Sequence, residues 1–263
     1  MADARSSLAD VRARIDEVDA AILALVDERA RLASDVAAAK AAEGNAGKFG
    51  LRPAREAQVL RKLLAKPRTS ASISLIVRIW REMMAESLAL QGPFLISAWG
   101  GHDPARIREL ARLRFGAAPS LTVVQTAEDA IAGARALGGV GVLALSKDSA
   151  WWGRLLAEPK VRVFAALPCL NAWGSMSALA VADAPIEPSG CDETFWVTDN
   201  GGSSPQIIQA LAKDGVAASH VQTAGGLKLF KLAGFYEATD ERLKRAPGKL
   251  SGVIGAAPTP LDV

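Results

Sequence analysis

Apolar residues recur at intervals of three and four positions through the first forty residues of the chain. The stretch 7–41 contains no glycine and no proline, which favours one long helix. Such spacing gives the helix a single apolar stripe, as in coiled coils. A helix of this size is about 50 Å long, too long for a compact unit of ninety residues to cover. We therefore expect a helical homodimer packed along the stripe. The stripe comprises Leu8, Val11, Ile15, Val18, Ile22, Leu25, Leu32 and Val36.

Two further helices are predicted before residue 93. Pro53 suits the first turn of a helix that runs to about Leu64, and a third helix is predicted over 71–91. Segments rich in glycine, proline and polar residues separate the helices, and a Gly-Pro pair ends the last one. The boundary at 92/93 makes residues 1–92 an all-α domain of three helices.

Beyond Pro93, short apolar runs alternate with helical patterns in the order β-α-β-α-β-α-β. This alternation predicts an α/β domain over 93–263, with a mostly parallel or mixed sheet covered by helices. A helix followed by two strands between residues 204 and 235 suggests a small regulatory module at about 204–263. The chain is therefore expected to be multidomain.

Composition narrows the classes of function. Half of the residues are hydrophobic and 22% are charged, which is typical of a globular protein. No apolar run approaches the ~20 residues that span a bilayer, and the charged N-terminus does not resemble a signal peptide. Two cysteines and two histidines exclude a disulfide framework, an all-cysteine zinc site and a His-rich metal site. The net charge of +3 includes no Lys/Arg block. We expect a cytoplasmic protein with no metal, nucleic-acid or membrane partner.

Three cations on the first helix stand out. Arg29 occupies a stripe position, where an unpaired charge is costly. Lys40 follows eleven residues later and projects from nearly the same face at about 100° per residue. Arg12 lies about 100° round the helix from Arg29 and could enter the pocket of a partner chain. Alternatively, Arg29 could pair with a carboxylate of another helix, and Lys40 could lie at a solvated helix end.

The other two helices add polar groups near their ends. Arg52 and Arg55 in the first turn of the second helix would form an anion site, while Glu56 suits the helix dipole. Ser87 and Gln91, four residues apart, share one face of the third helix. They could bind a polar ligand or cap the helix.

These positions resemble the all-helical chorismate mutase family, which is built as an intertwined three-helix dimer. The resemblance covers residues 8–91 with the spacings intact. Its segments are Leu8-x-x-x-Arg12-x-x-Ile15-x-x-x-Asp19, Leu25-x-x-x-Arg29, Ala39-Lys40, Arg52-Pro53-x-Arg55-Glu56 and Glu86-Ser87-x-x-x-Gln91.

The resemblance implies how the substrate carboxylates are held. Arg29 and Arg55 would hold the two carboxylates of chorismate, together with Arg12 from the other subunit. Ser87 would help position one carboxylate.

The resemblance also implies which groups contact the ether oxygen and the hydroxyl. Lys40 and Gln91 would donate to the ether oxygen, and Glu56 would accept from the ring hydroxyl. Arg52 departs from the family, which often has an acidic residue there, so Glu56 would hold the hydroxyl end alone.

The residues suit the chemistry of this family. The rearrangement of chorismate to prephenate is concerted and needs no nucleophile, metal or redox cofactor. The enzyme holds a flexible dianion in its folded conformer and stabilises charge on the breaking ether oxygen. Arginine forks suit carboxylates, and the sequence contains no nucleophile elbow and no phosphate-binding loop of the Gly-x-x-x-x-Gly-Lys type.

The C-terminal part is faintly similar to prephenate dehydratase, which follows this mutase in many proteins. The Thr-Arg-Phe signature of the dehydratase would fall near 192–196, where the phenylalanine is kept and the arginine is not. We therefore expect a dehydratase-derived domain that has lost catalysis.

Three hypotheses follow. The first is a chorismate mutase, an isomerase without cofactor, whose C-terminal domain is structural or senses an aromatic amino acid. The second is a bifunctional chorismate mutase–prephenate dehydratase. The third is a scaffold that docks another enzyme of the shikimate pathway.

Overall fold

The computed structural model describes residues 7–40, 42, 49–245 and 248–262. The chain forms two compact units, Met1–Gly47 and Lys48–Val263. The first contains helix α1, and the second contains the other described elements. The helices are α1 Leu8–Lys40, α2 Pro53–Leu64, α3 Ile73–Ala89, α4 Pro104–Phe115, α5 Ala127–Ala134, α6 Ser204–Lys213 and α7 Glu241–Lys244. The strands are β1 Leu95–Trp99, β2 Ser120–Val123, β3 Gly139–Ala144, β4 Arg162–Leu167, β5 Ala178–Ala182, β6 Asp192–Thr198, β7 Ala218–Ala224, β8 Leu227–Ala233 and β9 Ser251–Pro258.

Helix α1 is a single uninterrupted helix of 33 residues, as the sequence predicts. None of its residues is buried. The eight residues of the predicted stripe, from Leu8 to Val36, are 42–65% exposed. A continuous apolar stripe of this length is unusual on a free surface and is typical of an interaction site.

The nine strands form one mixed sheet in the order β2-β1-β3-β5-β4-β9-β6-β8-β7. Strand β1 pairs in parallel with both β2 and β3, whereas β5 is antiparallel to both of its neighbours. The segment Trp151–Ala157, expected to be an α-helix between parallel strands, is a 3-10 helix. The predicted class, a helical N-terminal region followed by an α/β part with a mixed sheet, is confirmed.

The last six elements follow the split β-α-β pattern. Strands β6, β7, β8 and β9, with helices α6 and α7 between them, give an antiparallel sheet in the order β9-β6-β8-β7. This pattern spans Asp192–Pro258 and so begins before the module predicted at about 204–263. The extents of the domains themselves remain predictions.

Helices α2 and α3 share two apolar cores with the α/β part. In the smaller core, Leu60 of α2 and Val77 of α3 pack with Leu170 and Leu261. The Ser72 hydroxyl accepts a hydrogen bond from the Leu75 N–H at 3.2 Å and caps the start of α3. The aromatic rings of Phe94, Phe115 and Phe164 follow one another at centroid distances of 6.0 Å. The larger core joins Leu51, Ala85 and Leu88 to Phe94, Ile96, Ile107, Leu110, Phe115 and Phe164.

Strands β4 and β9 join the two halves of the sheet. Their parallel pairing has one residue pair in register, Val163 with Gly255. Gly255 has a φ of +147°, and a β-carbon there would overlap the backbone oxygen and nitrogen of Val163. Glycine is therefore required at the junction for both conformation and space.

We predict that Gly255→Ala destabilises the fold, because the added methyl group pushes β9 away from β4. The free energy of unfolding should fall by at least about 2 kcal/mol from overpacking and backbone strain. The measurement is the urea midpoint. Gly201→Ala is the matched control, because Gly201 has open space around it and no positive φ. Equal midpoints for the two variants would contradict the prediction.

Candidate functional site

Helix α1 carries three of the predicted site residues. Arg12 is exposed, whereas Arg29 and Lys40 are half-buried. Partial burial lowers the pKa of the Arg29 guanidinium. Among the described residues of α1, Arg29 thus combines a stripe position with partial desolvation, and a desolvated cation gains most from an anionic partner.

Helix α2 begins with Pro53 at its first position, which sets the backbone for the helix. Arg55 follows in the first turn. Its guanidinium is exposed and makes no hydrogen bond or ion pair within the described part of the chain. Arg55 is therefore available for an external anion.

Arg52 is engaged elsewhere. Its Nη2 donates to both carboxylate oxygens of Glu187, at 3.0 and 2.8 Å. This pair is about half exposed, so it contributes at most about 1 kcal/mol. The contact does, however, direct the Arg52 side chain towards the segment before β6. Arg61, on the same helix, donates to the carbonyl oxygens of Ser189 and Cys191 at 3.0 and 2.7 Å.

Glu56 lies against two arginines. Its Oε2 lies 2.7 Å from Nη1 of Arg81 on α3 and 2.7 Å from Nη2 of Arg114 on α4. Arg81 is 6% exposed and Arg114 is 5% exposed, while the Glu56 side chain is 15% exposed. Within the described residues, Oε1 of Glu56 has no hydrogen-bond partner. We call Glu56, Arg81 and Arg114 the ion cluster.

The ion cluster is strongly desolvated. Burial lowers the pKa of Arg114, the charge of Arg81 lowers it further, and the charge of Glu56 opposes both effects. The Arg114 guanidinium lies 4.8 Å from the centroid of Phe115 and 5.9 Å from that of Phe164. Contacts with aromatic faces stabilise a buried cation and restrict its motion.

Ser87 and Gln91 lie one helical turn apart at the end of α3, and both are half-buried. The Ser87 hydroxyl donates to the Met83 carbonyl at 2.7 Å, and the Gln91 amide donates to the Ser87 carbonyl at 2.7 Å. The Gln91 side chain thus contributes to capping the helix, one of the two possibilities left open by the sequence.

Sequence reasoning missed Arg81 and Arg114, although a signal was present. The buried face of α3 reads Val77, Arg81, Ala85 and Leu88, so Arg81 interrupts an apolar repeat. Arg114 likewise occupies a buried position of α4. A charge at an apolar position is the same signal that singled out Arg29.

The dehydratase-like signature lies inside the sheet. Thr194 and Phe195 are fully buried in β6. The Thr194 hydroxyl donates to the Gly234 carbonyl at 2.8 Å and accepts from the Tyr236 N–H at 2.9 Å. Both hydrogen-bonding roles of this hydroxyl are therefore used by the fold.

A separate cavity of about 270 Å³ lies where β1 and β3 end, and its lining includes His102, Asp103 and Ser146.

Residues 7–40, 42, 49–245 and 248–262 contain no group of three or more His, Cys, Asp or Glu side chains that could hold a metal ion. Over the same ranges, no helix combines the length and apolar character needed to cross a membrane.

Residues 11–92 match the family model described as chorismate mutase type II. The helical region is therefore a chorismate mutase type II domain, and the resemblance inferred from its sequence is confirmed.

Two curated relatives are described as bifunctional chorismate mutase/prephenate dehydratase. The protein from Pseudomonas aeruginosa is 35% identical over 149 residues, which cover 54% of this chain and 40% of the relative. The protein from Stutzerimonas stutzeri is 32% identical over 138 residues, which cover 50% and 38% of the two chains. This chain thus spans about two fifths of the relatives' length. The aligned share is larger than residues 1–92 could supply, so the similarity extends into the α/β part.

A solved structure described as GqqA, a novel type of quorum-quenching acylase, matches with a TM-score of 0.43 at 15% identity. The match covers 64% of this chain and 96% of that chain.

Proposed function

We propose that this protein is a chorismate mutase, an isomerase that converts chorismate to prephenate without a cofactor. The observation that carries the proposal is the family match over 11–92, together with seven polar residues of the motif, the position of Arg52 being the one that departs from it. Two neutral and five charged side chains make up the set. The set comprises Arg12, Arg29, Lys40, Arg55, Glu56, Ser87 and Gln91.

These side chains suit a concerted rearrangement of a dianion. Guanidinium forks of Arg29 and Arg55 bind carboxylates in two-point contacts and hold the substrate in its folded conformer. Lys40 is a compact cation that stabilises negative charge on the breaking ether oxygen, with Gln91 as a second donor. The Glu56 carboxylate accepts from the ring hydroxyl. All of these roles are electrostatic or positional.

We propose a homodimer with shared active sites, in which the stripe of α1 packs against a second copy. The stripe is apolar at eight positions, is interrupted by Arg29 and is exposed in the single chain, and its spacing suits helix-on-helix packing. Arg12 projects about 100° away from Arg29 and would complete the site of the partner chain. We place the enzyme in the cytoplasm.

The α/β part is proposed to be a structural or regulatory domain, with an aromatic amino acid as a candidate effector. The buried Thr194 and Phe195 support the loss of dehydratase chemistry. A bifunctional enzyme is the second candidate function, favoured by the names of the two relatives. A scaffold that docks another enzyme of the shikimate pathway is the third.

The first test is to incubate the pure protein with chorismate in the absence of metal and cofactor, and to follow prephenate and phenylpyruvate. We expect prephenate alone. Phenylpyruvate in addition would establish the bifunctional enzyme. If neither product forms, the mutase proposal is wrong and the scaffold hypothesis takes its place.

We predict that Arg29→Ala and Arg55→Ala each lower kcat/KM by about 100-fold or more, because each removes a charged donor to a carboxylate. Lys40→Gln should mainly lower kcat. Lys62→Ala, on an exposed position of α2, is the matched control and should keep wild-type activity. The dimer should persist in each variant by light scattering. Wild-type turnover in Arg29→Ala or Arg55→Ala would reject that residue's assignment.

We also predict complementation between inactive chains. A mixed dimer of one Arg12→Ala chain and one Arg29→Ala chain contains one complete site in two, so it should show about half of the wild-type activity. The control pairs a wild-type chain with a chain carrying both substitutions. That dimer has no complete site and should be inactive. Equal activities in the two mixed dimers would rule out a shared site.

A further inference from the structure

We propose that Arg114, on helix α4 of the α/β part, is a positioning residue for the mutase site, acting through Glu56. The inference rests on the proposed function, because it assigns Glu56 to the substrate hydroxyl. It goes beyond that function by making the α/β part a component of mutase catalysis.

Two buried arginines surround the Glu56 side chain. A carboxylate with 15% side-chain exposure keeps its charge at modest cost only where nearby cations replace water. Arg81 and Arg114 supply two such cations, each 2.7 Å from Oε2. The ion cluster therefore places two cations against one carboxyl group, whose oxygens accept hydrogen bonds.

The two arginines also fix the orientation of the Glu56 carboxylate. Both arginines contact the same oxygen, Oε2, which leaves Oε1 without a partner among the described residues. Rotation of the carboxylate would break both contacts. The arrangement therefore fixes the orientation of the carboxylate and leaves one oxygen available to accept from a ligand hydroxyl.

The Arg114 side chain is itself held in place by its surroundings. Its guanidinium is 5% exposed and packs between the rings of Phe115 and Phe164. Nearby, the Glu82 carboxylate on α3 accepts from the Ala117 N–H, just beyond α4, at 2.8 Å. This second contact joins the mutase helix α3 to the same end of α4. The α/β part therefore holds Arg114 at a fixed position relative to α2 and α3.

The test is a double-mutant cycle on the 263-residue chain, with chorismate turnover as the readout. We expect Arg114→Gln to lower kcat/KM by about 10- to 100-fold, the effect of misplacing a catalytic group by about 1 Å. In the Glu56→Gln background, the same substitution should cause no further loss, because Arg114 acts through the Glu56 carboxylate. Arg114→Lys should restore most of the activity, since it keeps a cation near Oε2.

The matched control is Arg108→Gln, an exposed arginine on the same helix, which should leave turnover unchanged. Thermal unfolding of each variant separates catalysis from stability. If Arg114→Gln does not fold, Arg114→Met, which removes the charge and keeps an apolar stem beside Phe115, provides the same cycle in the Glu56 and Glu56→Gln backgrounds.

The outcomes separate this inference from the proposed function. If the wild type is active and Arg114→Gln has the same kcat/KM as Arg108→Gln, the role of Arg114 is wrong and the proposed function stands. Equal losses with and without the Glu56 carboxylate also overturn it, because they indicate a purely structural arginine. An inactive wild type overturns the proposed function and this role with it.

Discussion

The contact of Glu56 with Arg81 and Arg114 is the interaction on which the rest of the second unit depends. The three charged side chains come from three helices, and two guanidinium groups each lie 2.7 Å from one carboxylate oxygen, with little access to water. Losing one partner of a buried ion pair costs about 3–5 kcal/mol, so α2, α3 and α4 can shift relative to one another only at high cost. The apolar core around Phe94 and Phe115 then packs on helices whose positions are already set.

The ion cluster explains why the boundary of the family match differs from the boundary between the two compact units. The family match runs from residue 11 to 92, whereas the compact units meet at Gly47 and Lys48. Helices α2 and α3 belong to the mutase family by sequence and to the α/β part by packing. A pair of helices of this size buries too little surface to enclose a charged cluster alone. The α/β part supplies the missing wall and one of the two cations.

Much of the fold could be predicted because the spacing of apolar residues along the chain indicates helices and strands. The long helix α1 and the strands β1–β4, β7 and β8 follow from patterns in the sequence. Strand β9 could not be found, because Ser251–Pro258 contains two glycines and lies between β4 and β6 through long-range pairing. The direction of β5 depends on its neighbours and not on its own residues. Among the candidate site residues, Arg29 was recognisable as a charge at a stripe position. Arg81 and Arg114 carry the same signal, but their convergence on Glu56 depends on long-range packing that the sequence does not show.

The proposed loss of dehydratase chemistry leaves open what the α/β part contributes beside helices α2 and α3. If its role were to catalyse a second step, the polar groups of its signature should face a cavity, but Thr194 and Phe195 are enclosed in β6. If its role were only to add stability, apolar contacts would suffice, and a buried arginine is a costly way to gain it. Arg114 instead faces the one carboxylate that the mutase motif contributes on α2. A costly charge kept at that position is better explained by an electrostatic task in the mutase site than by folding alone.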